Sequence, residues 1–431
     1  METTLNEIAI EQYPVYKETA VEWLGEIPEH WNLIRGNYIF TIVNQRSKTG
    51  KEELLSVSEH YGVRPRSESN VNMFMAESYE GYKICDPGDL VINSLWAWSR
   101  GLGFSNYKGI VSTAYSVFRP DHDRYNKDYL NYLLRIDKYV AQYLISSKGI
   151  WISRLQLSDW AFLRIPVLTP PIEEQIVIAH FLDTKTALID KAIAIKEKQI
   201  ELLKERLQLL AYQAVTQGLN PIVKFKDTGL DWMQKTPEHW ELKKLKFVVK
   251  ILKRIANSLG YEVLSITQKG IKPKNIESGE GQLSMDYSKY QLVFEGEFAM
   301  NHMDLLTGYV DISKFNGVIS PDYRVFDLMD FSVDKGYLLS LFKICYKQKI
   351  FYRFGQGVSQ LGRWRFPTEN FNNFKIPLPP TNEQKKISSF IESLEKKVYN
   401  IIEAKETEIS KLKEYKRTLI NSAVTGKIKV T

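Results

Sequence analysis

The chain has 431 residues, of which 44% are apolar and 25% charged, so it holds more than one folded domain and is neither disordered nor fibrous. Its net charge of +7 favours an acidic partner, nucleic acid first. Two cysteines, Cys85 and Cys345, exclude a disulfide framework or a zinc quartet. No apolar run approaches the roughly 18 to 20 residues of a membrane span, and no apolar signal core follows Glu2, Glu7 and Glu11, so a cytoplasmic protein without membrane contact is expected.

In chain order, residues 1–17 read as an extension without a counterpart, with no role beyond packing on the distal helix. Residues 18–172 follow as a mixed domain of short apolar segments broken by turns. Leu54–Ser58, Asp89–Asn93 and Tyr115–Phe118 read as strands, and Asp86-Pro87-Gly88-Asp89 as a turn. Tyr129–Ile145 has helical spacing, and Ile165-Pro166-Val167 closes the domain as an extended strand. Residues 173–217 form a spacer helix: Pro170-Pro171 precedes Glu173-Glu174-Gln175, a start signal suited to the helix dipole.

The second half repeats the first. Thr19, Trp23, Pro28, Glu29, His30 and Trp31 recur 209 positions later as Thr228, Trp232, Pro237, Glu238, His239 and Trp240. Glu174-Gln175 recurs as Glu383-Gln384, and Ala214-Val215-Thr216 as Ala423-Val424-Thr425. A second mixed domain is thus expected over 218–380, with strands at Val263–Thr267, Gly296–Asn301, Tyr323–Phe326 and Ile376–Pro380. A distal helix over 381–425 and a tail over 426–431 complete the chain. Such a tandem copy presents two related surfaces from one polypeptide.

Both helices carry a coiled-coil seam of about four heptads: Ile189, Ile193, Ile200, Leu203, Leu207 and Leu210 in one, Val398, Ile402, Ile409, Leu412 and Leu419 in the other. Lys196 and Lys405 interrupt the seams as a register device, a solvated edge or a partner contact. Leu188, Ile195, Leu202 and Leu209 form a second seven-residue row, more surface than one neighbour covers. If the helices pair, tandem copies related by a two-fold axis must run antiparallel. About 40 residues of helix span about 60 Å, a ruler between the mixed domains of the kind a DNA reader with separated half-sites needs. The fold expected is α+β: two tandem mixed α/β recognition domains separated by two long antiparallel coiled-coil helices, with pseudo-two-fold symmetry.

No catalytic constellation emerges. Thr169-Pro170-Pro171-Ile172 and Leu378-Pro379-Pro380-Thr381 lack the polar and aromatic members of an amino-methyltransferase loop. Thr49-Gly50-Lys51-Glu52 and Thr425-Gly426-Lys427-Ile428 lack the hydroxyl and upstream glycine of a phosphate-binding loop. The six histidines show no metal-ligand spacing.

The layout resembles the specificity subunits of type I restriction-modification systems, most specifically in Trp-Leu-Gly-Glu-Ile-Pro-Glu-His-Trp at 23–31, its echo at 232–240, and the two Pro-Pro/Glu-Gln helix starts. The resemblance implies that each domain reads one half of a bipartite sequence in double-stranded DNA while the helices set the gap. It implies that two adenine-N6 methyltransferase subunits dock on the scaffold and that an endonuclease/translocase subunit can join. It also implies that this subunit is non-catalytic and binds no cofactor itself, S-adenosylmethionine, ATP and Mg belonging to the partners. The alternative is a stand-alone bipartite DNA-binding scaffold without a methyltransferase.

Base edges are read by Arg, Lys, Asn and Gln, and phosphates by Lys and Arg. The candidates in the first domain are Arg64 and Arg66; Asn93, Trp96, Trp98 and Arg100; and Lys148, Trp151 and Arg154. Those in the second are Lys269, Lys272 and Lys274; Asn301 and His302; and Arg353, Gln356, Gln360, Arg363 and Arg365. Residues 94–100 and 302–307 occupy equivalent places yet differ throughout, as loops assigned to different bases would. The repeated Pro-Glu-His-Trp reads instead as packing, with the Trp under the sheet and the His hydrogen-bonded. Inserting four residues near Gln199 should lengthen the unread gap in the DNA target by displacing one domain about 6 Å along the helix axis; methylome sequencing checks this, an unchanged gap ruling the helix out as spacer.

Overall fold

The computed structural model describes residues 11–59, 61–68, 78–149, 155–275, 286–357 and 364–430. It is α+β and divides into two compact units, Met1–Ile195 with Thr407–Thr431, and Lys196–Glu406. The helices are α1 (Lys127–Leu133), α2 (Asp137–Ser146), α3 (Asp159–Arg164), α4 (Ile172–Gln217), α5 (Lys335–Lys347), α6 (Thr368–Asn373) and α7 (Thr381–Val424). Each unit therefore contains one mixed domain and one segment of each long helix. No helix among the described residues is long and apolar enough to cross a membrane.

In the first unit a four-stranded antiparallel sheet runs in the order Phe40–Ile42, Tyr115–Pro120, Leu90–Asn93, Leu102–Phe104. Leu90, Val91 and Ile92 are all buried, a continuous apolar run that a sheet covered on both faces demands. On one face Val91 and Val117 meet Leu55, Val63, Cys85 and Val111. Phe118 packs instead on Phe40 and Phe162. The second unit repeats this topology with Val249–Leu252, Arg324–Leu328, Phe298–Met300 and Val310–Ile312. There Ala299 and Val325 join Leu264, Ile266 and Ile319, while Phe298, Met300 and Phe326 join the larger cluster with α5 and the long helices.

The helical stretch expected over Tyr129–Ile145 is broken between α1 and α2. Ile136 is extended (φ −71°, ψ 156°), and Arg135 beside it donates to the carbonyl oxygens of Leu102 and Glu59. Those contacts reach residues on other strands and turns, so local periodicity could not reveal the break.

Each long helix starts on an identical fastening. Gln175 is buried; its Oε1 accepts from the backbone N–H of Asn126 at 2.9 Å and its Nε2 donates to the Pro170 carbonyl at 2.8 Å. Gln384 does the same with Asp334 N–H at 2.7 Å and the Pro379 carbonyl at 2.8 Å. Asn126 and Asp334 are the N-caps of α1 and α5. The preceding glutamate grips the repeated loop: Glu174 accepts from His30 Nε2 at 2.6 Å and Trp31 Nε1 at 2.9 Å. Glu383 likewise accepts from His239 at 2.8 Å and Trp240 at 2.9 Å. Both tryptophans are buried, so the motif packs as its composition suggested.

Within each unit the helix segments are antiparallel. In the first, the Tyr129 hydroxyl donates to the carbonyls of Leu168, just before α4, and of Val424, the last residue of α7, both at 3.2 Å. Further along, Lys416 pairs with Asp190 at 2.6 Å. In the second, the Tyr337 hydroxyl donates to Val215 at 3.2 Å and Pro377 at 2.8 Å, and Lys405 donates to Gln199 Oε1 at 2.6 Å. Lys405 thus finds its partner on the facing helix. Ile189, Ile193, Ile200, Leu207, Val398, Ile402, Ile409 and Leu419 are buried; Leu203, Leu210 and Leu412 are half-buried.

The described part of the N-terminal segment, from residue 11 on, does have a counterpart, contrary to the sequence reading. Tyr16–Glu18 pairs with Glu26–Pro28 as Phe225–Leu230 pairs with Met233–Pro237. The equivalent of the segment is the linker after α4, which shares its hydrogen-bonding role but hardly any residue identities. Its described residues pack on the start of α4 and on the tail: Tyr13 donates to Glu174 at 2.9 Å, Tyr16 to the Gly426 carbonyl at 3.0 Å, and Lys429 N–H to the Glu11 carbonyl at 2.7 Å.

Partial burial alone would raise the Glu174 carboxyl, but hydrogen bonds from Trp31, His30 and Tyr13 together hold it below its ordinary value. A carboxylate lowered on folding stabilises above its unfolded pKa, and that contribution is lost as pH falls through the folded value. Glu174→Gln should therefore destabilise the first unit by about 1–2 kcal/mol near pH 7, with the deficit shrinking below about pH 4. Urea denaturation at both pH values checks it; a deficit independent of pH would contradict the charged clamp.

Candidate nucleic-acid interface

The first unit carries an open cavity of about 600 Å³ where the strand Leu55–Ser58 meets the end of the strand Leu90–Asn93. Arg66, Asn93 and Trp96 line it together with Tyr82 and Tyr115. Trp96 is half exposed and stacks on Trp98, ring centroids 5.5 Å apart and planes 24° from parallel. Trp98 is held by its Nε1 donating to the Leu95 carbonyl at 2.9 Å, and Asn93 Oδ1 accepts from Leu95 N–H at 3.2 Å. The turn closes tightly because Gly101 abuts Trp96: a Cβ there would come within 2.7 Å of the Trp96 carbonyl oxygen. A stacked indole beside an amide and a guanidinium can cover a base face and bond its edge.

Other candidates in this unit lie differently. Arg100, in the left-handed region at φ 57°, donates to the Arg135 carbonyl and to the carboxylates of Glu59 and Asp137, so it braces the turn against α2. Arg64 lies 3.5 Å over the Tyr61 ring and donates to the Glu68 carbonyl at 3.1 Å. Lys148 is exposed in a two-residue bridge with Gln156. Trp151 and Arg154 lie outside the described residues.

In the second unit, His302, Gln356 and Arg365 line one pocket of about 480 Å³. Gln356 and Arg365 form a bridge at the place of the Lys148–Gln156 bridge. The pocket also holds Arg324, which the sequence reading treated only as part of a strand. Arg324 is buried and donates through Nη2 to the Phe366 carbonyl at 3.0 Å and Thr368 Oγ1 at 3.3 Å. The available signal was a lone arginine inside the apolar run Tyr323–Phe326, at the position that Ser116 holds in the first copy. Burial, then the neighbouring charges of Arg324 and Arg365, push the His302 imidazole down to about 4. It is therefore neutral near pH 7.

None of Lys269, Lys272, Lys274, Asn301 and Arg353 lines that pocket. Lys269 and Lys272 are exposed at the hairpin joining Leu264–Thr267 to Gly270–Pro273, and Lys274 is half-buried just beyond. Asn301 Oδ1 accepts from Met303 N–H at 3.3 Å, and Arg353 is exposed in the turn Phe351–Phe354. Gln360 and Arg363 lie outside the described residues. Among the described residues no group of three or more His, Cys, Asp or Glu side chains is arranged to hold a metal ion. Cys85 and Cys345 are buried, which pushes both thiols up, Cys85 to about 12.

Residues 237–411 match the family model of the type I restriction modification DNA specificity domain. Over 390 residues the chain is 26% identical to the type I restriction enzyme MjaVIII specificity subunit of Methanocaldococcus jannaschii, covering 86% of this chain and 87% of that protein. Its fold is similar to a solved chain from a study of complex assembly and conformational transition in a type I R-M system. That match has a TM-score of 0.69 and 14% identity, covering 92% of this chain and 98% of the other. It is similar also to the HsdS subunit from Thermoanaerobacter tengcongensis, with a TM-score of 0.54, 15% identity, and coverage of 93% and 98%.

The geometry separates two neighbours in the first unit. Arg100→Ala, which removes two ion pairs and a backbone contact, should cost about 1–3 kcal/mol of stability. Trp96→Ala should cost less, about 0.5–1 kcal/mol, because the half-exposed ring loses chiefly its stacking on Trp98. Thermal denaturation of both variants checks this; equal losses would contradict the placement.

Proposed function

As a member of the family of type I restriction-modification specificity subunits, this chain reads, we propose, one half of a bipartite DNA target with each of its two recognition domains. It is a non-catalytic DNA-recognition subunit. One observation carries the reading: the two units repeat the same sheet and the same helix fastenings, yet the equivalent sites differ in chemistry. Ser116, Lys148, Gln156 and Asp159 of the first unit stand where the second has Arg324, Gln356, Arg365 and Thr368. A common frame with unlike surfaces suits two half-sequences of different composition. In this reading the candidates Arg64, Lys148, Lys269, Lys272, Lys274 and Arg353 serve as phosphate contacts, and Asn301 supports the loop that carries His302.

The uninterrupted helix Ile172–Gln217 supports the role of a spacer that sets the gap between half-sites. Partner docking is supported by the second apolar row of α4. Leu188, Ile195, Leu202 and Leu209 remain about half exposed, which the antiparallel segment of α7 does not cover. A stand-alone scaffold would leave this row in water. The partners in our reading are two adenine-N6 methyltransferase subunits, with an endonuclease/translocase joining them. S-adenosylmethionine, ATP and Mg reside on those partners.

Co-expression with an adenine-N6 methyltransferase subunit of a type I system should yield a complex that methylates adenines in one bipartite sequence, detected by methylome sequencing. Trp96→Ala in that complex should lower preference at one half-sequence by about tenfold and leave the other intact. Equal loss at both halves would contradict separate readers.

A further inference from the structure

We infer that the second recognition unit holds a phosphate group in the pocket around Arg324, with this buried guanidinium as the anchor and Arg365 as a second donor. The inference rests on the DNA-reading function in one respect only, that the phosphate is one of the DNA backbone.

Arg324 is only 4% exposed. Among the described residues its Nη1 has no hydrogen-bond partner. Its two bonds through Nη2 go to a neutral carbonyl and a neutral hydroxyl, and its guanidinium lies 4.4 Å over the Phe371 ring. Among the described residues no carboxylate lines the pocket, whereas a second cation, Arg365, does. A second buried atom of the same pocket, His302 Nδ1, is also without a partner among the described residues. A buried cation without a counter-charge costs several kcal/mol, and a neutral orphan donor or acceptor adds to it. Burial lowers the guanidinium to about 10, still charged near pH 7.

The first unit shows what a structural solution looks like at the same place. There the strand position of Arg324 is Ser116, and its hydroxyl donates to the carboxylate of Asp159 at the start of α3. In the second unit the strand residue has become a long cation and the helix-start residue has become Thr368, so the acid is gone as the positive charge arrives. Among the described residues nothing replaces that acid, and in our inference an occupant brings the negative charge. It needs several acceptor oxygens to meet Nη1, the Arg365 guanidinium and an N–H of the neutral imidazole together. A phosphodiester supplies both the charge and the oxygens. A guanine edge supplies acceptors without the charge, and so fits the pocket less well. Arg324 in this role fixes register without reading sequence.

The full-length chain is first tested with inorganic phosphate against chloride at equal ionic strength. Phosphate should raise the melting temperature of the wild type. Arg324→Met should abolish that rise and Arg365→Gln, an exposed position with little part in folding, should reduce it. A phosphate effect unchanged in both variants overturns the assignment, as does no phosphate effect at all. Duplex binding by the assembled complex then identifies the source of the phosphate. Arg365→Gln and Arg324→Lys should each weaken target and non-target duplexes alike, by about tenfold, and reduce the salt slope of binding by about one phosphate. Loss confined to one base pair of the target overturns the phosphate assignment in favour of base readout. Phosphate protection with unchanged duplex binding overturns the backbone source and leaves DNA reading intact. A complex that binds no duplex would sink the DNA reading while the phosphate result still decides the pocket.

Discussion

Two adjacent side chains at the start of each long helix hold the architecture. The glutamate faces the Pro-Glu-His-Trp loop and accepts from both its imidazole and its indole. The glutamine, one residue on, turns inward and satisfies the backbone N–H of a helix cap as well as a proline carbonyl. Consecutive positions on a helix point about 100° apart, so this dipeptide bonds two different parts of the domain. The buried amide is used at both ends, and removing it would leave a part-buried N–H and a buried carbonyl unmet. The orientation of a recognition domain on its helix therefore depends on hydrogen bonds whose geometry tolerates little change.

From this fastening the site follows. The domain helix capped by Asn126 or Asp334 carries the tyrosine that bonds both the closing strand and the end of the facing helix segment. The central sheet lies between a helix-side core and a smaller strand-side core, so its strands are mostly apolar where they cross the core and its loops lie beyond it. Those loops carry Trp96 in one unit and His302 in the other. Constraint sits in the frame and variation in the loops, which is the division that loop-borne recognition needs.

In the first unit the position of the second pocket is satisfied internally, since the Ser116 hydroxyl donates to the Asp159 carboxylate. The second pocket is not, because Arg324 and His302 retain unpaired atoms among the described residues. The two units thus differ in how much of their site chemistry awaits a ligand, although they share a fold.

Much of this was legible in the chain itself. The 209-residue repeat, the Pro-Pro/Glu-Gln helix starts and the seven-residue seams depend on local or periodic physics: a helix dipole, a missing N–H, a 3.5-residue period. So were the central strands and the packing role of the repeated tryptophans. What tertiary structure decided is whatever depends on partners far along the chain. The break between α1 and α2 answers to carbonyls near residues 59 and 102. The strand at Tyr16–Glu18 repeats a hydrogen-bonding role without repeating residues. Arg100 is a brace because Glu59 and Asp137 converge on it, and Arg324 stands out from its strand because the acid opposite Ser116 in the first copy has no equivalent opposite it among the described residues. Periodicity specifies which face of an element is apolar; whether a charge is paired is settled only once distant segments have met.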